Sequence, residues 1–446
     1  MKRVITYGTF DLFHEGHRRL LERARELGDH LTVGVTASTY DDARGKLNVR
    51  QSLVERIGNV VDSGLADEVI VEEYEGQKIH DIQRLKIDTF VIGSDWVGKF
   101  DYLSDYCEVV YLERTKGISS TGLREARGVI RLGVVGAGRI ARRFVREARF
   151  VSGVSVEAVW TRDHTKATAF ADEFELTWAN ETLDILLEHV DAVYVATPHE
   201  THVEFARRAL EAGVHVLCEK PVALSVPELE DLCALADARS LVLLEAMKTA
   251  FAPGFQRMVA IARSGTLGSI RAVDATFTKL ITEGRELDSP VGGALTELGT
   301  YPFLAIVKLL GEEPTDVSSR VLRKGDDGVD LFARVNVDYP HAVASATVGI
   351  GVKSEGDLVV SGTLGYLYVP APWWLTEYFE TRFEDPRNNR KYYTTYDGDG
   401  LRYELAEFVS MILDQTPESF KLRRSESLAV ASLLERARRD ARSFDG

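Results

Sequence analysis

The sequence predicts an α/β chain in three successive parts: two doubly wound parallel-sheet units, then an α+β region with an open sheet. Three observations predict this. Short apolar strands alternate with amphipathic helices over residues 1–127, the pattern of a parallel sheet covered on both faces. The alternation begins again at Ile130, after the very short connection Arg124–Gly128. After about Phe251 strand-like runs follow one another without a helix between each pair, which suits an antiparallel or mixed sheet with one open face.

Taken in order, Val4–Tyr7 is a short buried strand, Leu20–Leu27 has helical periodicity, and His30–Val35 is the next strand. Glu68–Val71, Thr89–Ile92 and Cys107–Leu112 complete the first sheet. Ile130–Val135, a helix to about Ala148, and strands Ser155–Trp160, Ala192–Ala196, Val214–Cys218 and Leu241–Leu244 form the second doubly wound unit. In the third part Ile270–Thr278, Leu331–Val337, Ala342–Gly349 and Asp357–Val360 read as strands, and Glu404–Asp414 and Ser425–Arg439 as amphipathic helices. Asp385–Arg390, with its proline and paired asparagines, reads as a loop. The expected domains are 1–127, 130–250 and 251–446.

Composition narrows the partners. The chain has 446 residues and a formal net charge of −15, which argues against nucleic acid, since a phosphate backbone would be repelled overall. Cys107, Cys218 and Cys233 have neither metal-ligand spacing nor a paired framework. Cys107 and Cys218 lie in apolar runs and read as reduced core residues. The start, Met1–Phe10, reads as a strand and not a leader, and no apolar stretch approaches the roughly 20 residues of a membrane span. A cytoplasmic protein that touches no membrane is the expectation.

The first unit opens with a motif. Gly8, Thr9, Phe10 and Asp11 lead from the first strand towards His14-Glu15-Gly16-His17. Histidines three apart share a helix face, so both imidazoles can address one phosphate. The strand-to-helix turn adds backbone N–H groups and the positive helix end. That set suits nucleotidyl transfer, in which charge builds on the α-phosphate and the leaving pyrophosphate, and fixed donors lower the barrier. The motif alone marks a broad superfamily and leaves the nucleotide open, with ATP an alternative to CTP.

Further segments narrow it. Ile5–Leu12, Gly93–Asp101 and Tyr111–Thr121 occur in that order, and with them residues 1–126 resemble the glycerol-3-phosphate cytidylyltransferase family. The resemblance implies that Arg114, Thr115, Ser119, Ser120 and Thr121 hold the triphosphate of CTP, with Thr121 near a helix N-terminus. It implies that Lys46 is a mobile cation closing on the phosphates, and that Asp11 and Asp95–Trp96 line the pocket where acceptor and base meet. Mg²⁺ is expected with CTP, because a triphosphate normally carries a metal that keeps most of its waters. No dedicated protein metal site is expected. There is one departure. Where the family carries Arg-Tyr-Val-Asp-Glu-Val, this chain has Gly64-Leu65-Ala66-Asp67-Glu68-Val69. An arginine expected near the acceptor phosphate is missing, so the acceptor is open: glycerol 3-phosphate, or a longer or differently placed polyol or sugar phosphate.

The second unit carries Gly136-x-Gly138-x-x-Ala141 between a strand and a helix. The first glycine permits the tight turn. The second admits the pyrophosphate of a dinucleotide beside Arg139 and Ile140. The third position must be small for helix and strand to pack. The next strand ends Thr161-Arg162-Asp163. An acidic cap there favours NAD, whereas Arg162 beside Thr161 favours the 2′-phosphate of NADP.

Thr197-Pro198-His199, His202, Cys218-Glu219-Lys220-Pro221, Leu244-Glu245 and Gly292–Pro302 follow. With these, residues 130–446 resemble the Gfo/Idh/MocA oxidoreductase family, in particular its dihydrodiol dehydrogenase-like branch. The resemblance implies that Lys220 stands by the nicotinamide and the substrate oxygen. It implies that Tyr301 supplies or takes a proton, its pKa lowered by the Lys220 ammonium. Glu297 stands where the family usually has Asp. Thr197, Pro198, Glu219, His199 and His202 would border the cofactor crevice, the two histidines chiefly as structural residues. The Pro372-Trp373-Trp374 cluster reads as packing. The open sheet implies a homo-oligomer, a dimer in the simplest case.

Together these readings give a bifunctional enzyme. A nicotinamide-dependent reductase makes a polyol phosphate, which is then joined to CMP as a CDP-polyol for a surface polymer such as a teichoic acid or capsule. Two alternatives stand: reduction after activation, on a CDP-linked substrate, or a dinucleotide domain that only senses redox state or dimerises.

Overall fold

The computed structural model describes residues 1–37, 46–47, 49, 51, 53–74, 76–113, 129–325, 328–394, 396 and 398–444. The chain divides into two compact units, Met1–Val193 and Tyr194–Gly446.

The first unit opens with β1 (Arg3–Gly8), α1 (Glu15–Arg25), β2 (His30–Thr36), α2 (Leu53–Asp62), β3 (Glu68–Glu72), α3 (Gln77–Leu85), β4 (Thr89–Gly93) and β5 (Glu108–Leu112). The five strands are parallel in the order β3-β2-β1-β4-β5. The order reverses between β1 and β4, and such a switch point is where an open α/β sheet binds ligands, beyond the carboxyl ends of its strands. One core cluster, with Val4, Phe10, Leu21 and Val33, packs one face of the sheet. Another, with Ile5, Tyr7, Phe90 and Leu103, packs the other. Alternate β1 residues thus feed opposite faces, as the pleat requires. Cys107 lies just before β5, half-buried against the second cluster.

The alternation then restarts with β6 (Ile130–Val135), α4 (Arg139–Ala148), β7 (Val154–Trp160), α5 (His164–Glu173), β8 (Trp178–Ala179) and α6 (Leu183–His189). β6 pairs with β7 and β7 with β8, all parallel. The boundary between the units falls inside β9 (Ala192–Val195).

The second unit continues with α7 (His202–Glu211), β10 (His215–Glu219), α8 (Val226–Ala238) and β11 (Leu243–Ala246), with β10 and β11 parallel. After α9 (Pro253–Arg263) comes β12 (Ile270–Thr278), then α10 (Ala294–Leu298) and α11 (Thr300–Leu310). β13 (Asp316–Arg323), β14 (Asp330–Asp338), β15 (Val343–Gly349), β16 (Leu358–Gly362), β17 (Gly365–Val369), β18 (Tyr378–Phe383) and β19 (Arg390–Tyr393) follow. α12 (Leu401–Leu413), α13 (Arg424–Arg439) and β20 (Ala441–Ser443) close the chain. The large sheet has nine strands in the order β19-β18-β17-β16-β12-β15-β14-β13-β20. It is mixed: β12–β15 and β13–β20 are parallel and the remaining pairs antiparallel. The expected loop at Asp385–Arg390 is a capped turn, Pro386–Asn388, and Arg390 already belongs to β19.

The open face of that sheet is mixed: Asp274, Arg320, Arg334, Asn336 and Asp338 are exposed on it beside Val343 and Tyr366. Cys218 and Cys233 are buried and unpaired.

Candidate active sites

The first site is built at the carboxyl end of β1. After Gly8 the chain turns sharply, with Phe10 at φ 52° and Leu12 at φ 46°. Both lie in the left-handed region, which costs a non-glycine residue of order 1 kcal/mol or more. Long-range bonds hold the turn. The Phe10 ring is buried, Asp11 Oδ1 accepts from Gln51 N at 2.9 Å, and Leu12 N donates to Gln51 Oε1 at 2.8 Å. The fully buried Arg56 donates from Nη1 to the carbonyls of Thr9 and Thr36, both at 2.8 Å.

His14 is the N-cap of α1, its Nδ1 accepting from Gly16 N at 3.0 Å, while His17 Nδ1 accepts from His14 N at 3.4 Å. The two rings stack at 3.9 Å. A ring whose Nδ1 accepts carries its neutral-state proton on Nε2, so both histidines offer Nε2–H as a donor. A Cβ on Gly16 would lie 2.9 Å from His14 Cε1, so the glycine between the histidines is a packing requirement. The helix begins at Glu15 and not near Leu20. Its polar first turn hides from apolar periodicity, and the cap sets its start.

A cavity of about 1060 Å³ opens here. It brings together Gly8, Thr9, Phe10, Asp11, His14, His17, Lys46 and Trp96, as the sequence predicts. Arg114, Thr115, Ser119, Ser120 and Thr121 lie outside the described residues, as does the side chain of Asp95. Lys78 lines the same cavity and was not foreseen. It is buried, pairs with Glu72, and stands 4.5 Å above the Tyr7 ring. Lys46 Nζ donates to the carbonyl of Arg149 at 2.7 Å, beyond the end of α4.

The dinucleotide loop follows β6. Gly136 has φ 109° and donates to the Trp160 carbonyl at 2.8 Å, so this position needs glycine. A Cβ built on Gly138 meets nothing within 4 Å, and no side chain caps α4. An uncapped helix start with open space before it fits a pyrophosphate. Ala141 is fully buried, which explains the small third residue. Arg139 is exposed and Ile140 half-exposed at this helix start. Asp163 caps α5 through Oδ1, accepting from Thr165 N and Lys166 N, and Arg162 beside it is exposed. The acidic residue of this segment is thus engaged in helix capping, with Thr161 and Arg162 left at the strand end.

The third group of residues lies in the second unit. Lys220, just beyond β10, donates from Nζ to the Glu297 carbonyl at 2.7 Å and stands 5.3 Å from the centre of the Tyr301 ring. His199 Nε2 lies 2.9 Å from Glu297 Oε1, and Arg285 adds a weaker pairing at 3.7 Å. Burial alone would raise the Glu297 carboxyl, but the His199 bond and charge, with Lys220 and Arg285, bring it down to about 2. His199 Nδ1 is buried without a hydrogen-bond partner. Tyr194 donates to Glu219 Oε1 at 2.5 Å, and burial raises the Glu219 carboxyl.

His202 is fully buried between two carbonyls, with Nδ1 2.8 Å from Pro221 O and Nε2 2.9 Å from Thr197 O. Burial lowers its pKa to about 4, so it braces the two turns as a neutral ring. The Thr201 hydroxyl donates to the Pro198 carbonyl and accepts from Thr197 Oγ1, tightening the first of them. Glu245 steadies the second by accepting from Val222 N at 3.2 Å.

Tyr301 corrects an expectation. Its pKa is raised, not lowered: burial comes first, then the carboxylates of Glu219, Glu404 and Glu297. Lys220 donates one N–H to a backbone carbonyl, and the causes acting on Tyr301 are all raising ones. A phenol held protonated is suited to donate a proton. The aromatic cluster divides its tasks. Trp373 is fully buried and donates to the Thr276 carbonyl at 2.8 Å. Trp374 stacks on Phe277 at 3.5 Å, and Phe277 presents an edge to Tyr301 at 5.1 Å. Tyr194, Arg285, Arg56 and Gln51 escaped sequence reading, since no local pattern marks a residue that acts across tens of positions.

Comparison with known proteins agrees with this anatomy. Residues 5–126 match the cytidylyltransferase-like family, residues 130–247 the oxidoreductase family with an NAD-binding Rossmann fold, and residues 255–368 the GFO/IDH/MocA C-terminal domain. The glycerol-3-phosphate cytidylyltransferase of Bacillus spizizenii is 53% identical over 125 residues, covering 28% of this chain and 96% of that protein. The trans-1,2-dihydrobenzene-1,2-diol dehydrogenase of Bos taurus is 30% identical over 322 residues, covering 70% of this chain and 96% of that protein. The solved structure of the 3-ketoreductase KijD10 from Actinomadura kijaniata, in complex with NADP and TDP-benzene, is 27% identical with a TM-score of 0.65, covering 71% of this chain and 99% of that one. No helix among the described residues is long and apolar enough to cross a membrane. The chain therefore belongs to two enzyme families at once, a cytidylyltransferase-like domain at its N-terminus fused to an NAD(P)-dependent oxidoreductase of the Gfo/Idh/MocA family.

Proposed function

We propose that the chain makes a CDP-polyol in two steps. The oxidoreductase reduces a sugar or ketose phosphate to a polyol phosphate, and the cytidylyltransferase joins that product to CMP. The observation that carries this reading is the pairing of the two modules in one chain. The first is 53% identical to the glycerol-3-phosphate cytidylyltransferase of Bacillus spizizenii, and in the second Lys220 stands 5.3 Å from the Tyr301 ring, a pair suited to a reductase.

In the reduction, a nicotinamide cofactor held by the Gly136–Ala141 loop would supply the hydride for the carbonyl carbon. Lys220 stabilises the charge that develops on the carbonyl oxygen. Tyr301, protonated at neutral pH, delivers the proton. The backbone carbonyl of Glu297 keeps Lys220 in place. Thr161 and the exposed Arg162 favour NADP over NAD.

In the transfer, a phosphate oxygen of the acceptor attacks the α-phosphorus of CTP. The new P–O bond forms as the bond to the β-phosphate breaks, and pyrophosphate leaves. His14 and His17 donate from Nε2 to the phosphate oxygens where charge builds. Lys46, with Arg114, Thr115, Ser119, Ser120 and Thr121, holds the triphosphate. Mg²⁺ would accompany CTP and offset charge on its phosphates. Fusion raises the effective concentration of the intermediate at the second site. The product suits a surface polymer that contains polyol phosphate.

The test is pyrophosphate release from CTP and Mg²⁺ with a panel of ketose and aldose phosphates. Release that appears only with NADPH supports reduction before activation. A second reading has its own support: KijD10 was solved with TDP-benzene beside NADP, a nucleoside diphosphate ligand. On that reading the oxidoreductase acts on a CDP-linked carbonyl. NADPH oxidation with CDP-linked and not with free carbonyl phosphates would favour it. Intact turnover in Lys220→Ala would point instead to a sensing or scaffold role.

A further inference from the structure

We propose that Asp330 is a positioning residue of the reductase site: its carboxylate fixes the start of α10, and α10 in turn fixes Lys220. The inference rests on the reading that Lys220 acts in the reduction, and it adds a residue to that site.

The need for such a residue begins in the sequence. α10 has five residues, Ala294–Leu298, far fewer than a helix needs to stand on its own. Gly292 and Gly293 precede it, and no side chain at its N-cap bonds its first N–H groups. Asp330, the first residue of β14, meets that need from 35 positions away. Its Oδ2 accepts from Leu295 N at 2.7 Å, and the residue is only 8% exposed.

The glycines make room for this carboxylate. A Cβ on Gly293 would run into Asp330 Oδ1, and φ there is 99°, which itself favours glycine. Gly293 N donates to the Glu286 carbonyl at 2.9 Å, and a Cβ on Gly292 would meet that same carbonyl. Beside the contact lies a cavity of about 650 Å³ whose lining includes Gly292, Leu295, Arg323, Asp330 and Arg438. A helix start that borders a cavity lacks close-packed neighbours on that side. A hydrogen bond to a charged acceptor, stronger than one to a neutral group, holds it instead. Burial raises the Asp330 carboxyl to about 6, against the Leu295 bond and the charges of Arg323 and Arg438. At pH 7 it is therefore chiefly an anion, and an acceptor only.

From Leu295 the constraint reaches Lys220 within one turn. Glu297 N donates to the Gly293 carbonyl at 3.0 Å, and Gly299 N to the Leu295 carbonyl at 2.8 Å. The Glu297 carbonyl receives Lys220 Nζ at 2.7 Å, and its carboxylate meets His199 at 2.9 Å. Lys220 in turn stands 5.3 Å from the centre of the Tyr301 ring. Release of the helix start shifts the carbonyl that holds the lysine, and a misplacement of about 1 Å can cost about 10²-fold in rate.

The experiment is competitive acetylation of the full chain with trace acetic anhydride at pH 7, the rate at each lysine read by mass spectrometry. It needs no substrate. Wild type, Asp330→Ala, Asp330→Asn and Gly293→Ala are compared. A bond to a carbonyl favours the charged, unreactive amine, so a released lysine reacts faster. Lys220 is expected to react about fivefold faster in Asp330→Ala and in Gly293→Ala. It should stay within about twofold of wild type in Asp330→Asn, whose amide oxygen still accepts from Leu295 N. Lys248, whose Nζ donates to the Asp399 carbonyl at 2.8 Å, should be unchanged throughout. Buried Lys308, paired with Glu426, reports unfolding if it reacts as fast as exposed Lys353. The proposal is overturned if Lys220 keeps its wild-type rate in whichever of Asp330→Ala and Gly293→Ala still protects Lys308. A rise shared by Lys248, or unfolding of both variants, also overturns it, because Asp330 would then serve general stability. Wild-type NADPH oxidation by Lys220→Ala would overturn the reading of Lys220 as a reductase residue and leave the acetylation result standing.

Discussion

His199 Nε2 and Glu297 Oε1 lie 2.9 Å apart, with side-chain exposures of only 8% and 13%. The pair joins the turn after β9 to α10, and the Glu297 carbonyl in turn receives Lys220. One residue thus serves both, its carboxylate pairing with His199 and its backbone carbonyl receiving Lys220. The carboxylate's pKa of about 2 is below the ordinary 4.5. A depressed carboxylate stabilises the fold above its unfolded pKa, and that contribution is lost as pH falls through the folded value. Glu297→Gln should cost about 1–3 kcal/mol at pH 7. The gap from wild type should shrink between pH 4.5 and about 2. Urea melts at pH 7, 4 and 3 check this, and a gap that does not change with pH contradicts the assignment.

Glu245 titrates in the opposite sense. Burial raises it to about 7, despite its bonds to Ser427 and Val222 N. A carboxyl raised on folding exerts no penalty below its unfolded pKa, and the penalty grows as pH rises through about 7. Glu245→Gln keeps an acceptor for Val222 N without the charge. It should match wild type near pH 4 and exceed it by roughly 2–3 kcal/mol above pH 8. Equal stability of the two proteins at pH 8 would contradict this.

Gly16→Ala places a methyl against the His14 ring, 2.9 Å from Cε1. The ring must swing away, and its cap on α1 is lost with it. Pyrophosphate release should fall about 10²-fold, as when one fixed donor is removed from a charge-stabilising site. NADPH oxidation by the same preparation should be unaffected, because the substitution touches only the first site. Parallel loss of both activities would indicate general unfolding instead.

Trp373→Ala should lower the unfolding free energy by about 3–5 kcal/mol, the range for a large aromatic removed from a core. The side chain is fully buried and its indole N–H satisfies the Thr276 carbonyl. Trp374→Ala should act differently, since it removes the stack on Phe277 that supports Tyr301. A drop in reductase kcat without comparable loss of melting temperature is expected there. Melting curves with NADPH kinetics for the two variants distinguish these effects.

Local pattern made most of the fold legible. Strand alternation and glycine spacing placed β1 to β7 and the dinucleotide loop within a few residues, because backbone sterics and side-chain period act over short stretches. β17, β18, β19 and β20 did not announce themselves. They lie towards the edges of a mixed sheet, are three to six residues long, and carry polar groups such as Arg382, Lys391 and Arg442. Their strand state comes from their neighbours and not from their own periodicity.

The candidate sites divide along the same line. The sequence alone determined which residue types could do the chemistry, because His14, Gly16, His17, Gly136, Gly138, Lys220 and Tyr301 belong to contiguous motifs whose geometry is set by one turn or one helix. Tertiary structure decided the electrostatics. Burial raises the Tyr301 phenol first, and Glu219, Glu404 and Glu297, from three distant segments, add to it. Tertiary structure also decided that Arg149, the C-cap residue that follows α4, lines the cavity of His14 and His17. Charge and dielectric depend on what converges in space, and one dimension of sequence does not contain that distance.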